Sequence, residues 1–245
     1  MSASLVKVAY SAANEKRHYC LMAMPSRLLI CIRAWIYGNI FDETVLMKLQ
    51  KKTLSIITHG ISVLVFCHLF YLLTLGGFGS DPIKELEHFT GKTAINYIFI
   101  IVLIPIISKV IHCHNLFTQL KALGLYCFTW ATLHLSIYII LDLGFDLALF
   151  FNELTARLYL AIGGICWLIL LLMALTSSKK AQCILGKYWS YLHKLIYIAT
   201  ILTSIHYIMA VKSGKTEAYI YLTIALLVCT YKVISEYKLK ERSQT

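Results

Sequence analysis

Charge is scarce in this chain: 14% of its 245 residues are Asp, Glu, Lys or Arg, while 59% are hydrophobic. That balance excludes a single water-soluble domain, because one core of this length cannot hide so much apolar surface. Acidic residues are scarcer still, 12 against 23 Lys and Arg, which leaves a net charge of +11. The excess does not mark a nucleic-acid binder. The basic residues lie beside the ends of apolar runs and do not line a groove with interleaved aromatics. Helix breakers are few, with 12 Gly and 3 Pro, and they fall mostly between those runs.

What is present is length of apolar sequence. A spanning helix needs about 20 predominantly apolar residues, and six stretches qualify: 53–75, 94–111, 119–141, 157–176, 189–211 and 217–235. Each far exceeds a buried strand, and a helix satisfies its own backbone groups in lipid. The expected fold is an all-α integral membrane bundle of six helices. Residues 1–52 form an N-terminal extension, 53–235 the six-span domain and 236–245 a short tail.

Lys48, Lys51 and Lys52, Lys109 and Lys121, Lys179, Lys180 and Lys187, and Lys238, Lys240 and Arg242 all fall on one side of the six-span pattern. Asp81, Glu85, Glu87, Asp142, Asp146, Glu153 and Glu217 fall on the other. The positive-inside rule therefore places both termini in the cytoplasm and the acidic loops outside. The apolar stretch Leu28–Phe41 is short, contains Arg33 and has no small-residue cleavage site after it, so it is neither signal peptide nor span. With Arg27 and Arg33 beside Trp35 and several Ile, it suits an amphipathic segment on the anionic inner leaflet. A dispensable extension from an upstream start codon is the alternative. No internal repeat or low-complexity tract is evident.

The eight cysteines make no C-x-x-C pair and no C-x-x-C-H signal, which excludes covalently attached c-type haem. His112-Cys113-His114 offers three adjacent ligands without a fourth, a poor zinc site. The histidines inside the spans carry more information, since an ionisable group in lipid needs a partner and is a functional candidate by default. His134 lies in the third span, and His193 and His206 lie thirteen residues apart in the fifth. Imidazoles on two membrane helices are what a bundle needs to clamp haem iron. His134 and His206 share the outer half, whereas His193 is about 20 Å below His206 at 1.5 Å per residue. Two haem levels follow from that spacing.

Thirteen residues at 100° each also put His206 about 140° around an ideal helix from His193. A tilted helix, a π-bulge or different flanking helices would reconcile the two directions. Level with His193 on the third span stand Leu120 and Lys121, neither an ordinary haem ligand. His59 is the candidate replacement on the first span, with His112 and His114 also in reach, and His68 is assigned to packing. Arg157 at the outer end and Lys187 or Lys194 at the inner end are candidates to meet haem propionates. Trp130, Tyr138, Trp167 and Tyr197 are candidates to pack on porphyrin, and the Gly76–Thr93 loop with His88 to meet a partner or quinone headgroup.

Gly76-Gly77-Phe78-Gly79-Ser80-Asp81-Pro82, His88-Phe89-Thr90-Gly91-Lys92-Thr93-Ala94, Gly124 through His134, and Leu185-Gly186-Lys187-Tyr188-Trp189 with Leu192-His193 closely resemble one family. It is the haem-binding membrane subunit of the bacterial periplasmic methionine sulfoxide reductase system, within the ferric reductase-like transmembrane group. The resemblance covers about residues 53–235. It implies b-type haem held by His134, His193 and His206, an FMN for which no motif is visible, and location in the bacterial inner membrane. It also implies a quinone pool or cytosolic flavin reductase as electron donor. The implied acceptor is a periplasmic molybdopterin-dependent methionine sulfoxide reductase, paired with this chain as a heterodimer. In that family a basic residue stands near the vacant fourth-ligand position; here Leu120 occupies one register and Lys121 the next, a departure that leaves one haem or two as the alternatives.

Two other function classes fit the sequence less well. A self-contained ferric or oxygen reductase needs a nucleotide-binding domain that a tail of about ten residues cannot hold, so it would require a separate dehydrogenase. A transporter using histidine for proton relay would be expected to carry carboxylates at midplane, whereas here they sit in loops or at span ends.

Overall fold

The computed structural model describes residues 26–211 and 215–242, with side chains described from residue 50 onward except Leu239 and Lys240. The chain divides into two compact units, Met1–Lys52 and Thr53–Thr245. The stretch Leu28–Phe41 is helical in backbone, but its expected amphipathic character and all of residues 1–25 lie outside what is described.

The elements are all helical: α1 Ser26–Thr74, α2 Pro82–Val110, a 3-10 turn His114–Gln119, α3 Leu120–Ile137 continuing into a π segment Tyr138–Asp142, α4 Leu147–Ala156, α5 Leu158–Leu175, α6 Lys179–Leu185, α7 Lys187–Ala210 and α8 Thr216–Arg242. Six stretches are long and apolar enough to cross a membrane: Gln50–Thr74, Pro82–Val110, His114–Asp142, Leu158–Leu175, Lys187–Ala210 and Thr216–Lys238. The protein is a multi-pass membrane protein with an all-helical bundle.

The second span begins at residue 82, twelve residues before the apolar run does, so most of the expected outer loop is helix. The cause is local. Asp81 caps the helix by accepting from the Lys84 backbone N–H, and Pro82 occupies the first turn, where its missing N–H costs nothing. The Lys84 ammonium also pairs with the Asp81 carboxylate and holds its pKa below the usual value. Gly76, at φ 64°, turns the chain after α1. The second outer loop also holds the ten-residue α4, capped by Asp146 and too short to span. At the C-terminal end α8 runs on through Arg242, so the expected tail is largely helical.

Within the second unit, α2 packs on α3 and α5 on α7, and the two hairpins meet where α3 crosses α5 and α7 crosses α2. Helix α8 lies against α7 and α2. Ile98, Val102, Cys127 and Trp130 are buried at the α2–α3 side, and Ala199, Thr200 and Ser204 on α7. Helix α1 joins through Phe66, stacked on Trp130 at 4.3 Å, and through Ser62, which accepts from the Tyr97 hydroxyl at 2.8 Å. Outward faces remain apolar: Leu64, Phe70, Leu168 and Leu227 are all more than half exposed, as expected of surfaces that meet lipid.

Candidate functional site

His134 is three residues from the last residue of α3 and His206 is in the final turn and a half of α7, both toward the end of the bundle that carries the acidic loops. Their rings face one another with centroids 6.5 Å apart and planes at 82°. His134 Nδ1 lies 3.0 Å from the Glu87 carbonyl oxygen, and His206 Nδ1 lies 2.7 Å from that of Tyr159. A carbonyl only accepts, so in both rings Nδ1 carries the proton and Nε2 keeps the lone pair. An imidazole with one N–H given to a backbone carbonyl and the other nitrogen free is the arrangement of metal-ligating histidine.

The spacing fits a metal between the rings. Two imidazoles on one ion at about 2.0–2.1 Å put their centroids roughly 6.3 Å apart. Thr90, fully buried, places its hydroxyl 3.5 Å from His134 Nδ1 while donating to the Leu86 and Glu87 carbonyls. Two unusual polar atoms lie close by in sequence: Glu87 Oε1 and Trp130 Nε1 are buried without a hydrogen-bond partner among the described residues. No group of three or more His, Cys, Asp or Glu side chains that could hold a metal ion occurs among the described residues. Two imidazoles with Nδ1 committed to carbonyls are the donor set that a b-type haem would need.

The remaining candidates are dispersed. The His193 ring lies tilted against Trp189, with centroids 4.1 Å apart, and its Nε2 lies 3.4 Å from Thr176 Oγ1, at the opposite end of the bundle. Helix α7 is regular from Lys187 to Ala210, and the π segment follows α3, so His193 and His206 keep their divergent directions. His59 is tied to the Tyr126 hydroxyl at 2.8 Å. Leu120 is half-buried, and Lys121, His112 and His114 are exposed. His68 packs beside Tyr71 and Phe89.

Arg157 sits just before α5, paired with Glu153 and reaching the Tyr159 hydroxyl at 3.5 Å; that bond and then Glu153 raise its pKa. Lys187 lies over the Tyr188 ring and Lys194 pairs with Glu236 at 2.9 Å. Trp130 is enclosed by Phe66 and Phe89, and Trp167 donates to Thr132 at 3.1 Å. Tyr138 meets Phe150, and Tyr197 lies under Lys232. His88 approaches the Tyr207 hydroxyl at 3.4 Å, beside the Lys92–Glu217 ion pair.

Sequence reasoning did not reach the Glu87 and Tyr159 carbonyls, because a main-chain acceptor has no residue signature. Each histidine meets a carbonyl 47 residues before it, so the two half-sites are related by a shift of 72 residues. The two half-sites thus repeat one geometry, although few residues match at that shift and no repeat is legible in the sequence.

Residues 90–204 match the family described as ferric reductase like transmembrane component. No solved structure matches the chain.

Proposed function

With a ferric reductase-like transmembrane domain built around one facing pair of imidazoles, we propose that this protein is a membrane electron-transfer subunit holding a single b-type haem between His134 and His206. The observation that carries the reading is the 6.5 Å ring pair with both Nδ1 atoms committed to backbone carbonyls. A haem bound there would supply one-electron redox chemistry at a potential set by its ligands and burial.

The chain's own residues do the rest. The Glu87 and Tyr159 carbonyls hold each imidazole in the Nδ1–H tautomer and make Nε2 a stronger donor. Helices α2, α3, α5 and α7 pack around the pair, leaving both rings partly buried. Arg157 is near the same end, two residues before the Tyr159 carbonyl, where a carboxylate of the cofactor would need a cation. His193 and Trp189 form an aromatic pair at the basic end, on the side from which electrons enter in this reading. The positive-inside rule makes that end cytoplasmic.

The resemblance of the Gly76–Ala94, Gly124–His134 and Leu185–His193 segments to the methionine sulfoxide reductase membrane subunit supplies the partners. In this reading a quinone or a cytosolic flavin reductase is the donor, with FMN as intermediary. A periplasmic molybdopterin methionine sulfoxide reductase accepts the electrons at the bacterial inner membrane. Substrate chemistry belongs to that partner, so this chain alone does not reduce methionine sulfoxide. The family match also fits a ferric or oxygen reductase served by a separate dehydrogenase, and rapid oxidation of the reduced protein by ferric chelate or oxygen would favour it.

The test is purification in detergent after expression with ample porphyrin. The expected result is a b-type spectrum at one haem per chain, lost in His134→Ala and in His206→Ala. Colourless wild-type protein, or unchanged haem in both variants, overturns the assignment.

A further inference from the structure

Both halves of the site contain a glycine one helical turn after the accepting carbonyl: Gly91 follows Glu87 by four residues, and Gly163 follows Tyr159 by four. A Cβ built on Gly91 would lie 3.1 Å from His134 Cε1 and 3.2 Å from its Nδ1. On Gly163 it would lie 2.8 Å from His206 Cε1 and 3.0 Å from its Nδ1. In an α-helix the N–H of residue i+4 donates to the carbonyl of residue i, and the carbonyl keeps a second lone pair. At these two positions a Cβ would crowd the ring that reaches the carbonyl, and glycine leaves that space to the imidazole of the neighbouring helix.

The same shift of 72 residues relates other contacts. Cys127 Sγ approaches the Ala94 carbonyl at 3.5 Å, and with exchanged roles Cys166 Sγ approaches the Ala199 carbonyl at 3.9 Å. The helix pairs α2–α3 and α5–α7 correspond, as do the contacts α3–α5 and α7–α2. Because α2 and α5 are two spans apart they cross in the same sense, so the repeat is parallel and its axis passes between the two rings.

We propose that Gly91 and Gly163 are positioning residues that, through the space they leave beside the Glu87 and Tyr159 carbonyls, hold the His134 and His206 ring planes crossed at a metal between them. The inference rests on the haem reading above and adds to it a ligand orientation imposed by α2 and α5, not by the helices that bear the histidines. Crossed imidazole planes leave two iron d orbitals nearly equal in energy. A low-spin ferric haem then gives a strongly anisotropic electron paramagnetic resonance signal with a large maximum g value.

The experiment compares wild type with Gly91→Ala, Gly163→Ala and the control Gly124→Ala, a helical glycine of α3 where a Cβ meets nothing within 4 Å. Haem per chain, maximum g value and midpoint potential are measured on each. Overpacking by one methyl against a held ring is expected to weaken haem retention roughly tenfold in Gly163→Ala. Gly91→Ala, with the longer contact, is expected to keep its haem but show a lower maximum g value and a shifted potential. Gly124→Ala is expected to match wild type. Wild-type signal and potential in both Gly91→Ala and Gly163→Ala overturn the proposal while leaving the haem reading intact, and an equal change in Gly124→Ala also overturns it. If Gly163→Ala does not fold, Gly91→Ala against the control decides. Wild-type protein with no haem overturns both readings.

Discussion

Replacing His193 with alanine separates one haem from two. The His193 ring makes a tilted aromatic contact with Trp189 at 4.1 Å and a long hydrogen bond with Thr176 at 3.4 Å. An aromatic pair contributes about 0.5–1.5 kcal/mol, and a hydrogen bond of ordinary strength about as much. The variant should therefore lose about 1–3 kcal/mol of stability and melt a few degrees lower. Its haem should remain, because His206 is about 20 Å away along α7. His206→Ala should behave in the opposite way. It removes a ligand outright and leaves the Tyr159 carbonyl without its imidazole donor. Loss of an outer-shell partner alone typically costs 10–100-fold in metal affinity, so loss of the ligand should exceed about 100-fold. Pyridine haemochrome per chain, read beside a thermal melt in detergent, distinguishes the two. Two haems per wild-type chain, or half the haem lost in His193→Ala, would refute the single-level reasoning.

Two further outcomes are expected. In a double-mutant cycle on the α1–α2 contact, Ser62→Ala should cost about 1–3 kcal/mol by stranding the buried Tyr97 hydroxyl, and Ser62→Ala with Tyr97→Phe should recover part of it; strictly additive melting shifts would contradict the 2.8 Å bond. On topology, a membrane-impermeant maleimide should label Asn152→Cys on α4 from outside intact cells and reach native Cys183, exposed at the basic end, only after the cells are opened; the reverse pattern would invert the orientation.

The spans were legible because a bilayer imposes length and polarity on any segment that crosses it, and runs such as Leu158–Leu175 meet both conditions without reference to neighbours. The start of α2 was not legible by that criterion, since Lys84, Glu85, Glu87 and Lys92 are polar while their backbone is helical. Capping chemistry at Asp81-Pro82 was the available signal. His134 and His206 were identifiable as ligand candidates by residue type and depth, and the structure brings them face to face. His59 and His193 had the same type and opposite surroundings, a hydroxyl for one and an indole for the other, and only packing reveals that.

Half of the site consists of atoms every residue possesses, and its specificity comes from what is missing beside them. Many helix carbonyls in a membrane bundle have a spare lone pair, so an imidazole in lipid has many acceptors it could meet. Beside Glu87 and Tyr159 the residue four positions on has no side chain, so the ring fits against the helix with its Nδ1 held to the carbonyl. Two such openings on parallel helices, repeated by a 72-residue shift, turn two rings toward one point. The same openings on antiparallel helices would have set the rings at different depths. The parallel repeat thus makes a single-level, two-imidazole site the natural product of this topology, and a second level would need ligands at Lys121 and His193, of which only His193 has an imidazole.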